Sequence, residues 1–251
     1  MEDIKKALLQ KMIQSIKTSV PDKKIGLAFS GGVDSSLLAK LSVDAGYDVT
    51  LLTIGFSESH DIEFSKEIGK LFELSHQIEE IDSNTFDYVL DKVNKVVNTD
   101  NLSWNENCIA FYYVAKLAKR LGLQTVLTAN GIDELFCGYD AYRDAIGEGK
   151  EKVMQLMESK LENEKNMMKA VNNVVSEFSV KIVQPFLEQD FIDFAKKIPL
   201  ELKIKNSNDL MRKHVVRELA AAVGVPEKSA FKRKKALQYG SLIHKTLMKS
   251  R

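Results

Sequence analysis

Ile25-Gly26-Leu27-Ala28-Phe29-Ser30-Gly31-Gly32-Val33-Asp34-Ser35-Ser36 holds a short apolar run, a glycine turn and the start of a new periodic segment. Ile25 to Phe29 reads as a buried parallel strand. The periodic segment that follows reads as a helix to about Ala45, with Gly46 as its stop. Gly31 and Gly32 permit positive φ and close approach of the backbone to a ligand. Amides at the start of the helix then point at bound phosphate, and Ser30, Ser35 and Ser36 add hydroxyl donors. Asp34 repels phosphate, so a carboxylate there makes sense if it holds Mg²⁺ that bridges phosphate oxygens. A Walker loop would need a lysine after its glycines, and a dinucleotide loop would need G-x-G-x-x-G; both are absent. The rival reading is a tight strand-to-helix turn with no ligand.

Outward from this loop, strands and amphipathic helices alternate. Residues 3–18 carry Ile4, Leu8, Met12 and Ile16 near helical spacing, and Pro21-Asp22 ends that helix. Asp48 to Ile54 is the next strand, Ser75 to Ile78 a weaker one, and Gln124 to Thr128 another. Helices are expected around Phe64–Phe72, over 84–97, and from about Asn105 to a stop at Gly122. Alternation of this kind implies a doubly wound parallel sheet, an α/β fold that binds ligands at the carboxyl ends of its strands. After residue 139 the strand signals nearly stop, with helices expected at 188–197 and 208–223. The expected organisation is an N-terminal helix over 1–20, an α/β core over 21–140 and a mostly helical part over 141–251.

Composition narrows the function. The 36 basic and 35 acidic residues nearly cancel, which argues against a general nucleic-acid binder. No apolar run approaches the roughly 18 residues of a membrane helix, and no signal segment follows Met1. Cys108 and Cys137 form no CxxC pair and fit a reduced, cytoplasmic protein. Each is expected as a small core residue rather than a nucleophile.

A second acidic motif, Thr128-Ala129-Asn130-Gly131-Ile132-Asp133-Glu134-Leu135-Phe136-Cys137-Gly138-Tyr139, directly follows an expected strand. Read alone, Asp133-Glu134 suits helix N-terminal capping and dipole matching. Together the two segments resemble the N-type ATP pyrophosphatases. The first is similar to their SGGxDS loop, and the second to the segment of asparagine and β-lactam synthetases written SGEGSDELFGGY. The resemblance implies an adenine nucleotide alpha hydrolase-like (HUP-type) fold and ATP cleavage between the α and β phosphates. Ser30 to Ser36 would grip the pyrophosphate, and Asp34 and Asp133 would share the Mg²⁺. Thr53-Ile54-Gly55-Phe56 resembles the strand whose backbone contacts adenine, which adds Ile54 and Gly55 to the nucleotide contacts; Gly131 joins them on the same ground. Pro185-Phe186-Leu187-Glu188 resembles the PFLD segment, and Lys213-His214-Val215-Val216-Arg217-Glu218 resembles the Lys-His-x-Leu-Arg-Glu helix. Lys232-Arg233-Lys234-Lys235 stands where the family carries a catalytic lysine; Lys234 aligns best, with Lys235 second. By charge alone this run reads as a solvated face or a nucleic-acid patch.

The resemblance implies an AMP-forming amide ligase. A carboxylate, aspartate or an analogue, would be adenylated and then attacked by ammonia or an amine. Three departures qualify it. Met1-Glu2 offers no N-terminal cysteine nucleophile and no glutaminase domain is present, so nitrogen is expected as free ammonia or from a separate amidotransferase subunit. Asn130 stands where the family has glutamate and cannot act as a base. Gln184 and Glu188 replace the usual arginine and aspartate. The alternatives are a tRNA-modifying or sulfur-transferring enzyme on the same loop, and a nucleotide binder without ligase activity.

Overall fold

The computed structural model describes residues 2–232 and 237–249, with the side chains of Leu237 and Gln238 left aside. Five parallel strands form one sheet in the order β3-β2-β1-β4-β5. They are β1 (Lys24–Ala28), β2 (Asp48–Gly55), β3 (Ser75–Glu80), β4 (Thr125–Leu127) and β5 (Lys181–Val183). The helices are α1 (Glu2–Ser19), α2 (Val33–Asp44), α3 (His60–Phe72), α4 (Ser83–Val97), α5 (Leu102–Arg120), α6 (Ile132–Leu135) and α7 (Ala141–Glu148). Beyond these come α8 (Lys150–Val175), α9 (Gln189–Lys197), α10 (His214–Ala222), α11 (Glu227–Ala230), α12 (Leu237–Gly240) and α13 (Ile243–Leu247).

The chain builds β1, β2 and β3 in one direction, then returns to place β4 on the other side of β1. The loops leaving β1 and β4 therefore diverge and open a crevice at the strands' carboxyl ends. Register holds Lys24–Ala28 opposite Asp48–Leu52, and Gly26-Leu27 opposite Val126-Leu127. Two apolar clusters cover the two sides. One joins α1, α2 and α10 through Leu8, Met12, Ile16, Leu37 and Val216. The other joins α4, α5 and the end of α8 through Phe86, Val93, Ile109, Leu117 and Val171.

The segment expected to be helical also supplies a strand. β5 pairs with β4 at Thr125–Leu127 and extends the sheet from beyond residue 141. It is three residues long, too short to announce itself against a helical background. α5 begins at Leu102, before the expected start, because the Asn101 side chain caps it by accepting from the Trp104 amide at 3.3 Å. The helix expected over 208–223 starts only at His214. Asp209 diverts the preceding chain: its carboxylate accepts from the amides of Lys205, Met211 and Arg212 at 2.9, 3.1 and 3.0 Å. Local side-chain bonds of this kind compete with helix. Among the described residues no helix is long and apolar enough to cross a membrane.

Candidate active site

The crevice between β1 and β4 is a cleft of about 290 Å³ with three walls. The first wall is the glycine loop. Gly31 has φ +76°, and a Cβ there would lie 3.0 Å from the Phe64 ring and 3.3 Å from Ile68, so only glycine fits. Ser35 Oγ accepts from the Ser30 amide at 3.3 Å and donates to the Gly32 carbonyl at 3.2 Å, which folds the loop over the first turn of α2. Ser30, Gly32, Val33, Asp34 and Ser35 line the cleft. Gly31 and Ser36 sit behind them. Ser229, at the end of α11, donates to the Gly31 carbonyl at 2.7 Å and shares a hydrogen bond with the Ser36 hydroxyl at 2.9 Å. Beside the loop, Ala28, Leu52, Ile54, Phe111 and Val114 form an apolar slot. Gly55 does not line it; it packs against Ser59.

The second wall follows β4. Asp133 lies in the first turn of α6, and its carboxylate folds over Gly138, where a Cβ would fall 1.7 Å from Asp133 Oδ1. Gly138 is therefore the only residue that leaves this carboxylate its place. Glu134 also lines the cleft, and its carboxylate accepts from the Gly131 amide at 3.0 Å and from the Tyr139 hydroxyl. Burial raises the Tyr139 pKa, and the Glu134, Asp133 and Glu164 carboxylates raise it further, so the phenol stays a donor. Gly131 is buried behind this turn rather than lining the cleft.

Asp34 and Asp133 converge on one lysine that lies between them. Lys213 Nζ is 2.6 Å from Asp34 Oδ2 and 3.0 Å from Asp133 Oδ1. Burial alone would lower the Lys213 pKa, but Asp133 and Asp34 outweigh it and the pKa rises. Arg212 and Lys213 both adopt positive φ, +46° and +53°. Asp209 holds that turn, with His214 Nε2 at 2.6 Å as a fourth partner. Burial would raise the Asp209 pKa, yet the Arg212 and Lys205 amides and His214 bring it down to about 2. Arg212 donates to the Gly138 carbonyl at 3.1 Å and to Asp140 at 2.8 Å, which fixes the Asp133 loop to the same turn. Arg217 donates to the carbonyls of Met211 and Arg212 at 3.0 and 2.9 Å. It also donates to those of Ala230 and Lys232, at 2.7 and 2.9 Å. Lys232 lines the cleft over the Phe64 ring. Lys234 and Lys235 lie outside the described residues.

The third wall comes from α5 and α8. Ser103, Asn107, Lys160, Asn163 and Glu164 line it. Glu164 is only 5% exposed, and its Oε1 accepts from Asn130 Nδ2 at 2.5 Å. Thr128 donates to Asn130 Oδ1 and fixes the amide's orientation. An acid thus reaches the neighbourhood of Asn130 from another element. The sequence does carry a signal for this. Glu164 sits among Leu161, Met167, Met168 and Val171, an acid on the buried stripe of α8.

Magnesium suits these residues. Asp34 Oδ1 is buried and has no hydrogen-bond partner, an oxygen left over for a ligand. Among the described residues no three acidic, histidine or cysteine side chains gather as a metal cage. Two carboxylates that leave the remaining positions to phosphate oxygens and water match how Mg²⁺ binds with nucleotides. Burial pushes both thiols, Cys108 and Cys137, up to about 12, so neither is a ready nucleophile.

The chain is similar to known proteins. The chain is 28% identical to a protein of Methanocaldococcus jannaschii provisionally named asparagine synthetase (glutamine-hydrolyzing) 1, over 87% of this chain and 46% of that one. It is 24% identical to asparagine synthetase B (glutamine-hydrolyzing) of Escherichia coli K12, over 94% of this chain and 45% of that one. The chain therefore spans less than half the length of these relatives. An NMN synthetase from Francisella tularensis shares the fold at 16% identity with a TM-score of 0.50, covering 95% of this chain and 76% of that one. The asparagine synthase family model matches residues 7–177 and 147–249, nearly the whole chain, and the chain belongs to that family.

Proposed function

We propose that this chain is an ATP-dependent amide ligase that adenylates a carboxylate, aspartate or an analogue, and passes it to ammonia or an amine. The observation that carries the reading is the convergence of Asp34 and Asp133 beside the amide-rich start of α2. The apolar slot at Leu52, Ile54 and Phe111 suits an adenine ring, and the loop from Ser30 to Ser36 suits the departing pyrophosphate. Asp34 and Asp133 would hold Mg²⁺, which supplies positive charge to the phosphate oxygens as the α–β bond breaks. A substrate carboxylate oxygen bonds to the α-phosphorus, and the bridging electron pair leaves with pyrophosphate. Nitrogen then bonds to the acyl carbon, the acyl–phosphate C–O bond breaks, and AMP departs. The protein contributes position and fixed charge.

The cations Lys232, Lys234 and Lys235 follow the stretch anchored by Arg217; Lys234, then Lys235, is our assignment for the lysine at the α-phosphate. The polar part of the α5–α8 wall, at Ser103, Asn107, Lys160, Asn163 and Glu164, is our assignment for the acid and its nitrogen partner. Nitrogen would enter as free ammonia or from a separate amidotransferase subunit. High thiol pKa values at Cys108 and Cys137 favour amide ligation over sulfur transfer.

The test is ATP–pyrophosphate exchange across a panel of carboxylates that includes aspartate. Exchange with one acid, lost in Asp34→Ala and Asp133→Ala while circular dichroism stays native, supports the reading. Release of ADP and phosphate, or exchange with no acid, refutes it.

A further inference from the structure

Lys213 is an expensive residue to place. Its backbone and that of Arg212 both adopt a conformation that side chains rarely take, at φ +53° and +46°. The Asp209 carboxylate, with four partners, and the Arg217 guanidinium on the Arg212 carbonyl hold the turn in that form. The result is one buried ammonium centred on two carboxylates that come from the ends of two different strands. The contact uses Asp34 Oδ2 and leaves Asp34 Oδ1 buried without a partner.

We propose that Lys213 is a resident counter-ion that fills the divalent cation's place between Asp34 and Asp133 and excludes free Mg²⁺ until the nucleotide arrives. The proposal rests on reading those two carboxylates as the metal acids. Without Lys213 the pair would turn two like charges toward one site and repel; with it the pair keeps one net negative charge. Free Mg²⁺ gives up its water reluctantly and gains little from a pair already neutralised by half. A triphosphate changes the balance. Its oxygens give the ammonium an alternative anionic partner within the same cleft, and the carboxylates are released to the metal that accompanies it. Only the lysine side chain moves; its backbone stays clamped.

Mn²⁺ binding to the full chain, followed by electron paramagnetic resonance with and without α,β-methylene-ATP, tests this. Lys213→Gln and Lys213→Met are expected to bind Mn²⁺ without nucleotide at least about tenfold more tightly than the wild type. Adding Asp34→Asn to either is expected to remove the gain. Nucleotide-free affinity unchanged in both folded variants overturns the proposal. Should neither variant fold, the wild type decides. A thermal midpoint unmoved by Mn²⁺ alone supports the proposal, and one raised by Mn²⁺ alone overturns it. If no form binds Mn²⁺ even with the nucleotide analogue, the metal reading of Asp34 and Asp133 fails, and this proposal fails with it.

Discussion

Ser229 is the position at which the glycine loop can be loosened without touching anything that meets a ligand. Its hydroxyl is fully buried and joins the Gly31 carbonyl at 2.7 Å to the Ser36 hydroxyl at 2.9 Å. Ser229→Ala removes one donor and strands two buried polar groups on the loop side. A buried polar group left unpaired costs about 1–3 kcal/mol, and partial relaxation of the loop brings the expected loss of stability to about 2 kcal/mol. The loop would then order only on binding, so ATP affinity is expected to fall about tenfold, or 1.4 kcal/mol. Urea unfolding measures the first quantity and calorimetric titration with α,β-methylene-ATP the second. Ser36→Ala in the same background should add less than its single effect, because both changes break one contact. Full additivity, or lost stability with unchanged ATP affinity, would show that the tether does not hold the loop in its binding form.

Gly138→Ala places a methyl group where the Asp133 carboxylate lies, so the carboxylate must swing away from Lys213. Pyrophosphate exchange should drop at least about a hundredfold, as when a catalytic group is misplaced; near-normal exchange would contradict the placement of Asp133. Glu164→Gln keeps the shape of the contact with Asn130 and removes its charge. The KM for the acid or amine should rise about tenfold while the KM for ATP holds; a shift confined to ATP would move the third wall's role to the nucleotide. His76 supplies a pH test. Burial first, and the Lys66 charge second, lower its pKa to about 4 from an ordinary 6.5. The folded state therefore binds fewer protons, so stability is complete above about pH 6.5 and falls as the pH drops toward 4. Solvent screening of the partly buried ring reduces the loss to about 1–2 kcal/mol. Urea midpoints across this range should show the fall in the wild type but not in His76→Gln; equal slopes would refute it.

The glycine loop and the strands before and after it were legible because their signals are local. A five-residue apolar run, a glycine pair and a helix start sit within twelve positions of one another. Asp133 stood out only through the resemblance of its whole segment to a family motif, because an acid pair after a strand reads by itself as a helix cap. Lys213 was named in the sequence only as part of a helix. Its meeting with Asp34 spans 179 positions, and no periodicity encodes a contact at that separation. The turn that delivers it was hidden as well, because Asp209 acts through side-chain bonds to amides while the apolar spacing around it still reads as helix. β3 ran two residues past its expected end, since as an edge strand with alternating exposure it tolerates His76-Gln77-Ile78-Glu79-Glu80.

Arg217 gives the molecule a constraint that no local motif expresses. One guanidinium grips the carbonyls of residues 211 and 212 on one side and of residues 230 and 232 on the other. The stretch that ends in Lys213 and the stretch that leads into the basic run are thereby riveted together, and neither moves without dragging the other. On the proposed ligase reading, a longer or bulkier acid is therefore accommodated elsewhere. The α5–α8 face, where residues such as Ser103, Asn107 and Lys160 project from helices free of that rivet, is the part of the cleft left open to change.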